Sequence, residues 1–119
     1  MKDYPKKYFA YVDLMNQLGS EIPETMQAFV KLHQESTKDG ALAKKTKELI
    51  ALGIAIAVHC DGCIAFHVHD AIKAGANKSE IVETIGTAIL MGGGPSVIYG
   101  CDALEALQQF LARIESDKQ

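Results

Sequence analysis

Glu48, Cys60, Cys63 and His67 are the residues whose types and spacing suit them to joint chemistry. The cysteines form a C-x-x-C pair, His67 follows Cys63 by four residues, and Glu48 precedes Cys60 by twelve. Glu48 stands at the head of an apolar run that meets no further charge until Asp61. A thiol pair, an imidazole and one carboxylate entering an apolar segment point to redox chemistry at a shielded thiol.

The two cysteines fall at the expected start of a helix, where unpaired N–H groups and the positive end of the helix dipole favour a thiolate. A free thiol has a pKa of roughly 8.5, and such positions lower it. A spacing of three brings both sulfurs to one side, within reach of a disulfide after modest adjustment. Two inert core cysteines are the bland alternative. One helical turn places the His67 imidazole on the same face as Cys63, where it can take the thiol proton and stabilise the thiolate left behind. A packed histidine bonded to a carbonyl is its dull counterpart. Glu48 fits two descriptions: a solvated helix-start carboxylate paired with Lys44, Lys45 or Lys47, or a group entering the core to orient His67. Spacing leaves both open.

Other chemically capable residues read as structural. His69 points about 200° away from His67 on a helix, towards a surface or interface. His59 adjoins Cys60 and suits either tuning of that thiol or capping of a helix end. His33 lies on an amphipathic helix among apolar neighbours, and Cys101 sits on an apolar face, so both read as core residues. Gly92-Gly93-Gly94-Pro95 has neither the lysine nor the Ser/Thr of a phosphate loop, and reads as a helix break.

The elements that must position these groups are helical throughout, since no clean apolar alternation occurs between turn signals. A first helix is expected over Tyr4–Leu18, stopped by Gly19, with Tyr8, Tyr11, Val12, Met15 and Leu18 inward. A second runs from Pro23 to about Thr37, a third from near Ala43 to about His59. A fourth ends at Lys73 or Ala74, with Gly75 as its C-terminal cap. Asn77 and Glu80 have capping-box spacing for a fifth helix, Lys78 to about Met91, with Ile81, Ile85, Ala88 and Leu90 or Met91 inward. The sixth opens at Pro95 and places Val97, Cys101, Leu104, Leu107, Leu111 and Ile114 on its inward face. The expected product is one all-α domain over residues 1–119, with an N-terminal helical hairpin (1–40) and a motif-bearing core (42–107).

Composition agrees. The chain has 119 residues, 48% apolar and 23% charged, which suits one packed domain. A net charge of −3 without a basic cluster argues against nucleic acid or an anionic membrane as partner. No segment resembles a signal peptide, and the longest apolar run, Leu49–Val58, is too short to span a bilayer, so a cytoplasmic location is expected. Three cysteines is an odd count, unlike a disulfide framework. The third helix is apolar all round after Glu48, which suggests that its neighbours include other subunits.

Glu48, Cys60-Asp61-Gly62-Cys63 and His67 together resemble the E-x11-C-x-x-C-x-x-x-H signature of the alkyl hydroperoxidase D-like group of the carboxymuconolactone decarboxylase superfamily. The flanks KTKELIALGIAIAVHC and HDAIKAGANKSEIVETIGTAILMGGGPSVIY are similar too. The resemblance covers about Leu42 to Leu107. It implies an all-helical, homo-oligomeric protein, trimer or hexamer. It also implies that Cys63 attacks a small hydroperoxide, Cys60 resolves the sulfenic acid as a disulfide, and Glu48 and His67 relay the proton. An external dithiol would restore the pair. No cofactor and no metal enter that scheme. Lactone decarboxylases of the superfamily lack the cysteine pair, which argues against decarboxylation. Two other readings stay open: a zinc module using Cys60, Cys63 and His67, and an interaction protein with idle cysteines.

Overall fold

In a computed structural model describing residues 2–118, the chain forms six helices: α1 (Tyr4–Glu21), α2 (Pro23–Thr37), α3 (Lys44–Ala57), α4 (Asp61–Lys73), α5 (Lys78–Gly92) and α6 (Gly94–Asp117). No strand occurs among the described residues. Helix α3 packs on α4 and α5, and α6 closes over all three, while in the N-terminal hairpin α1 lies on α4 and α6 and α2 touches α3. The core is built from Leu52, Ile56, Ile64, Val68, Ile81, Leu107 and Phe110, with alanines 55, 65, 71, 88, 103 and 106 between them. Those alanines let the helix axes approach closely, and the larger side chains fill the space that remains.

Local signals fix most helix ends. Asn77 and Glu80 close the expected capping box at the start of α5. Helix α4 ends with Gly75 at φ 99°, in a Schellman arrangement where Ala76 N–H donates to Ala71 and Gly75 N–H to Ile72. Helix α3 ends the same way, with Cys60 N–H donating to Ala55 and His59 N–H to Ile56. Here, however, the left-handed position is held by His59, at φ 64°, a conformation that costs a side-chain-bearing residue about 1 kcal/mol. Its ring does not cap the helix; it stacks on Tyr99 of α6 at 4.6 Å.

The sequence expectations miss in three places. Gly19 does not stop α1, which runs through it to Glu21. One helical glycine costs only about 1 kcal/mol, and the helix ends instead at Ile22, forced out of helical geometry by Pro23. Leu90 and Met91 face outward, and Ile89 is the residue that packs against the core. Third, the inward face of α6 is rotated by about 100°, one residue's worth of helix. Ser96, Gly100, Ala103, Leu107 and Phe110 are buried, whereas Val97, Leu104, Leu111, Ile114 and Cys101 are exposed. Cys101 is therefore not a core-filling residue.

The reason lies in how closely α5 and α6 approach. A Cβ on Gly100 would stand 2.8 Å from Ile85 Cγ2, and one on Gly92 only 1.9 Å from Ser96 Oγ. Such an interface admits the small-residue face of α6 and rejects the large one. Because Ile85 is β-branched and held in one helical rotamer, Gly100→Ala should destabilise the fold by about 1–3 kcal/mol. Gly86→Ala, on the same helix pair but with nothing near its Cβ, should stabilise it by up to about 1 kcal/mol. Urea midpoints of the two variants measure this; equal shifts would show that backbone contact at Gly100 is unimportant.

Candidate functional site

Glu48 is completely buried on the second turn of α3. Its Oε2 lies 3.1 Å from Nδ1 of His67 on α4. A carboxylate bonded at Nδ1 fixes the tautomer with the proton on that nitrogen, so Nε2 is left as the base. The solvated, lysine-paired alternative for Glu48 is thereby excluded. Oε1 of Glu48 has no hydrogen-bond partner among the described residues, although it too is buried. An unsatisfied buried acceptor costs about 1–3 kcal/mol or more when charged, the kind of deficit that functional sites carry.

Cys60 is the N-cap of α4, and Cys63 lies in its first turn. The sulfurs are joined as a disulfide with Cα atoms 5.1 Å apart, so they lie on one side as the spacing predicts. Cys63 N–H donates to Cys60 Sγ at 3.2 Å. The helix terminus therefore directs its free N–H at Cys60 rather than at Cys63. Both cysteines and His67 line a cavity of about 530 Å³ roofed by the α1–α2 hairpin, with Tyr8, Tyr11, Phe29 and Phe66 among its walls. The apolar residues expected inward on α1 serve here: Tyr8, Tyr11 and Met15 face this cavity. Gly62 admits the Tyr11 ring, which would lie 3.3 Å from a Cβ at that position.

Three residues matter here that sequence reasoning set aside or did not single out. His33, read as a core residue, places Nε2 3.9 Å from Glu48 Oε1. Asp70 lines the same cavity. His69, read as a surface or interface residue, is half-buried: its ring stacks on Tyr8 at 4.0 Å and its Nδ1 meets Asp70 Oδ1 at 2.9 Å. No local signal distinguishes these residues, because their meeting depends on how α2 crosses α3 and α4.

Asp61, between the cysteines, anchors the N-terminal segment. Tyr4 Oη donates to its Oδ1 at 2.6 Å, Lys2 Nζ donates to the same oxygen at 3.0 Å, and Lys7 Nζ donates to Oδ2. Lys2 also reaches Asp102 of α6. Burial disfavours the Asp61 charge, but Lys7, Tyr4 and Lys2 outweigh it and hold the carboxyl at about 2. Burial, reinforced by Asp61, pushes the Tyr4 phenol far upward, so it stays a donor.

Residues 23–106 match the carboxymuconolactone decarboxylase family. An uncharacterized protein of Cupriavidus necator is 38% identical over 87 residues, 73% of this chain and 77% of that protein. Uncharacterized protein 4 in the cox locus of Paracoccus denitrificans is 38% identical over 82 residues, 69% of this chain and 74% of that protein. The crystal structure of an apo carboxymuconolactone decarboxylase family protein from Legionella pneumophila superposes with a TM-score of 0.87 at 45% identity, covering 90% of this chain and 96% of that one. A Thermotoga maritima family protein, for which a part in an antioxidative response has been suggested, has the same fold, with a TM-score of 0.81 at 24% identity over 92% of this chain and 97% of that one.

Two stability measurements test this geometry. Replacing Glu48 by methionine and His67 by leucine together, which leaves neither partner of the pair unmatched, should leave the melting temperature unchanged or higher; a fall of more than about 5 °C, roughly 1 kcal/mol, would make the pair a structural element. Asp61 has a folded-state pKa below its ordinary 3.8, so its stabilisation is full above about pH 4 and fades as pH falls through about 2. Asp61→Asn should therefore melt lower than the parent at pH 7, by about 1 kcal/mol after solvent screening, and the gap should close by pH 2. A gap constant across that range would assign the effect to something other than the charge.

Proposed function

This chain belongs to the carboxymuconolactone decarboxylase family, and from that we propose that it is a thiol-dependent peroxidase or disulfide reductase. The observation that carries the reading is the fully buried Glu48 bonded to His67, whose side chain lines one cavity together with the C-x-x-C pair. A base held by a carboxylate beside a thiol is the arrangement that activates a sulfur nucleophile.

In the reduced protein, His67 Nε2 accepts the Cys63 proton, and Glu48 stabilises the resulting imidazolium. The thiolate attacks a hydroperoxide oxygen: an S–O bond forms, the O–O bond breaks, and the proton on His67 goes to the leaving alkoxide. Cys63 becomes a sulfenic acid. Cys60 then attacks that sulfur, the S–S bond forms and water leaves. An external dithiol reduces the pair by exchange and is itself oxidised. The Cys63 N–H aimed at Cys60 suits this last step, because it stabilises Cys60 as the departing thiolate. The apolar walls shield the thiol and fit a small organic hydroperoxide. Ile50 and Ile54 of α3, Leu90 and Met91 of α5, and Val97 and Ile98 of α6 are exposed in the single chain, which supports assembly into a homo-oligomer. No helix among the described residues is long and apolar enough to cross a membrane.

Hydroperoxide consumption with a dithiol donor tests the assignment. Cys63→Ser should abolish it, and Glu48→Gln should slow it by roughly 10–100-fold, in line with loss of general-base support. Thiol alkylation with mass analysis before and after one equivalent of peroxide should show Cys63 reacting first and the pair then closing. Full activity in Cys63→Ser, or a pair that stays reduced, would remove the proposal.

A further inference from the structure

We propose that His33, Glu48 and Asp70 form a binding site for a first-row divalent cation of the zinc class, at the wall of the cavity that the cysteine pair also lines. Each residue offers one ligand atom, and these atoms lie within 4.8 Å of one another. Bonds of about 2.0–2.2 Å at a tetrahedral centre place two ligands of one ion roughly 3.3–3.6 Å apart. The His33 Nε2 to Glu48 Oε1 separation, 3.9 Å, exceeds that by only a few tenths of an ångström. The His33 side chain is 42% exposed, which leaves it free to close the remaining gap to Asp70.

A second observation points the same way. The Glu48 oxygen that faces His33 is the buried one without any hydrogen-bond partner. A cation there would satisfy it. The other carboxylate contacts fit a ligand set: Glu48 Oε2 is held by His67, and Asp70 Oδ1 by His69. Such secondary bonds orient metal-binding carboxylates. Charge also favours a cation. Among the described residues, the ion-pair contacts of both carboxylates are to histidines alone, and no lysine or arginine lines the cavity. One imidazole with two carboxylates selects a borderline first-row ion over magnesium or calcium, which prefer all-oxygen sites.

The set contains neither cysteine, so it is distinct from a thiolate zinc site, and it exists whether or not the thiols are catalytic. An ion on Oε1 would draw on the same carboxylate that serves His67, so metal loading should slow thiol oxidation in any active preparation.

Calorimetric titration of the full-length, disulfide-bonded protein with zinc chloride tests the site directly. One zinc per chain is expected. Binding should weaken roughly tenfold or more in His33→Ala and in Asp70→Asn, and persist in the Cys60→Ser/Cys63→Ser variant. Cobalt(II) should give d–d bands without a sulfur charge-transfer band, a readout that stands even if one variant fails to fold. No uptake by the oxidised protein, unchanged affinity in both single variants, or a thiolate band would overturn the proposal. None of these readouts depends on peroxidase turnover, so failure here and failure of the redox reading are separable.

Discussion

A carboxylate with no access to water must find its partners inside the protein, and Glu48 organises the molecule around that need. Helix α3 carries it into the core, α4 brings His67 to one of its oxygens, and α2 brings His33 towards the other. A buried pair of this kind adds little net stability, because desolvation consumes most of the attraction. The remaining helices supply the apolar contacts that keep the arrangement in place. Glu48 is thus better understood as something the fold supports than as something that supports the fold.

The N-terminal segment is the second organising device. Asp61 draws Lys2, Tyr4 and Lys7 to the turn between the cysteines, and Gln109 grips the backbone of the same segment on both sides, accepting from Tyr4 N–H at 2.8 Å and donating to Lys2 C=O at 2.6 Å. The roof of the cavity is therefore fastened at the cysteine pair itself. Apart from this anchorage the hairpin buries little: Tyr4, Pro5 and Thr37 are its buried residues. Much of its apolar surface faces the cavity or solvent instead.

What the sequence made legible follows from the range of each signal. The helix count, the capping box at Asn77, the Gly75 cap and the placement of both cysteines at the head of α4 depend on neighbours a few residues away, and local chemistry was enough. The link between Glu48 and His67 crosses nineteen residues; spacing alone left it open, and the motif resemblance implied it. The α6 face was misjudged because that helix has two apolar stripes, and the size of side chain that α5 admits decides between them. His33, His69 and Asp70 could not be placed, since their roles arise where α1 and α2 meet α4. Gly19 was read as a stop although one helical glycine costs only about 1 kcal/mol, and the firmer stop was Pro23.

Cys60 belongs to two helices at once. Its backbone N–H completes the cap that ends α3, and its sulfur accepts the N–H that opens α4. The connection between them has no slack: one inserted or deleted residue between Ala57 and Asp61 would undo both terminations and carry His67 out of register with Glu48. Length variation should therefore be shut out of this short bend.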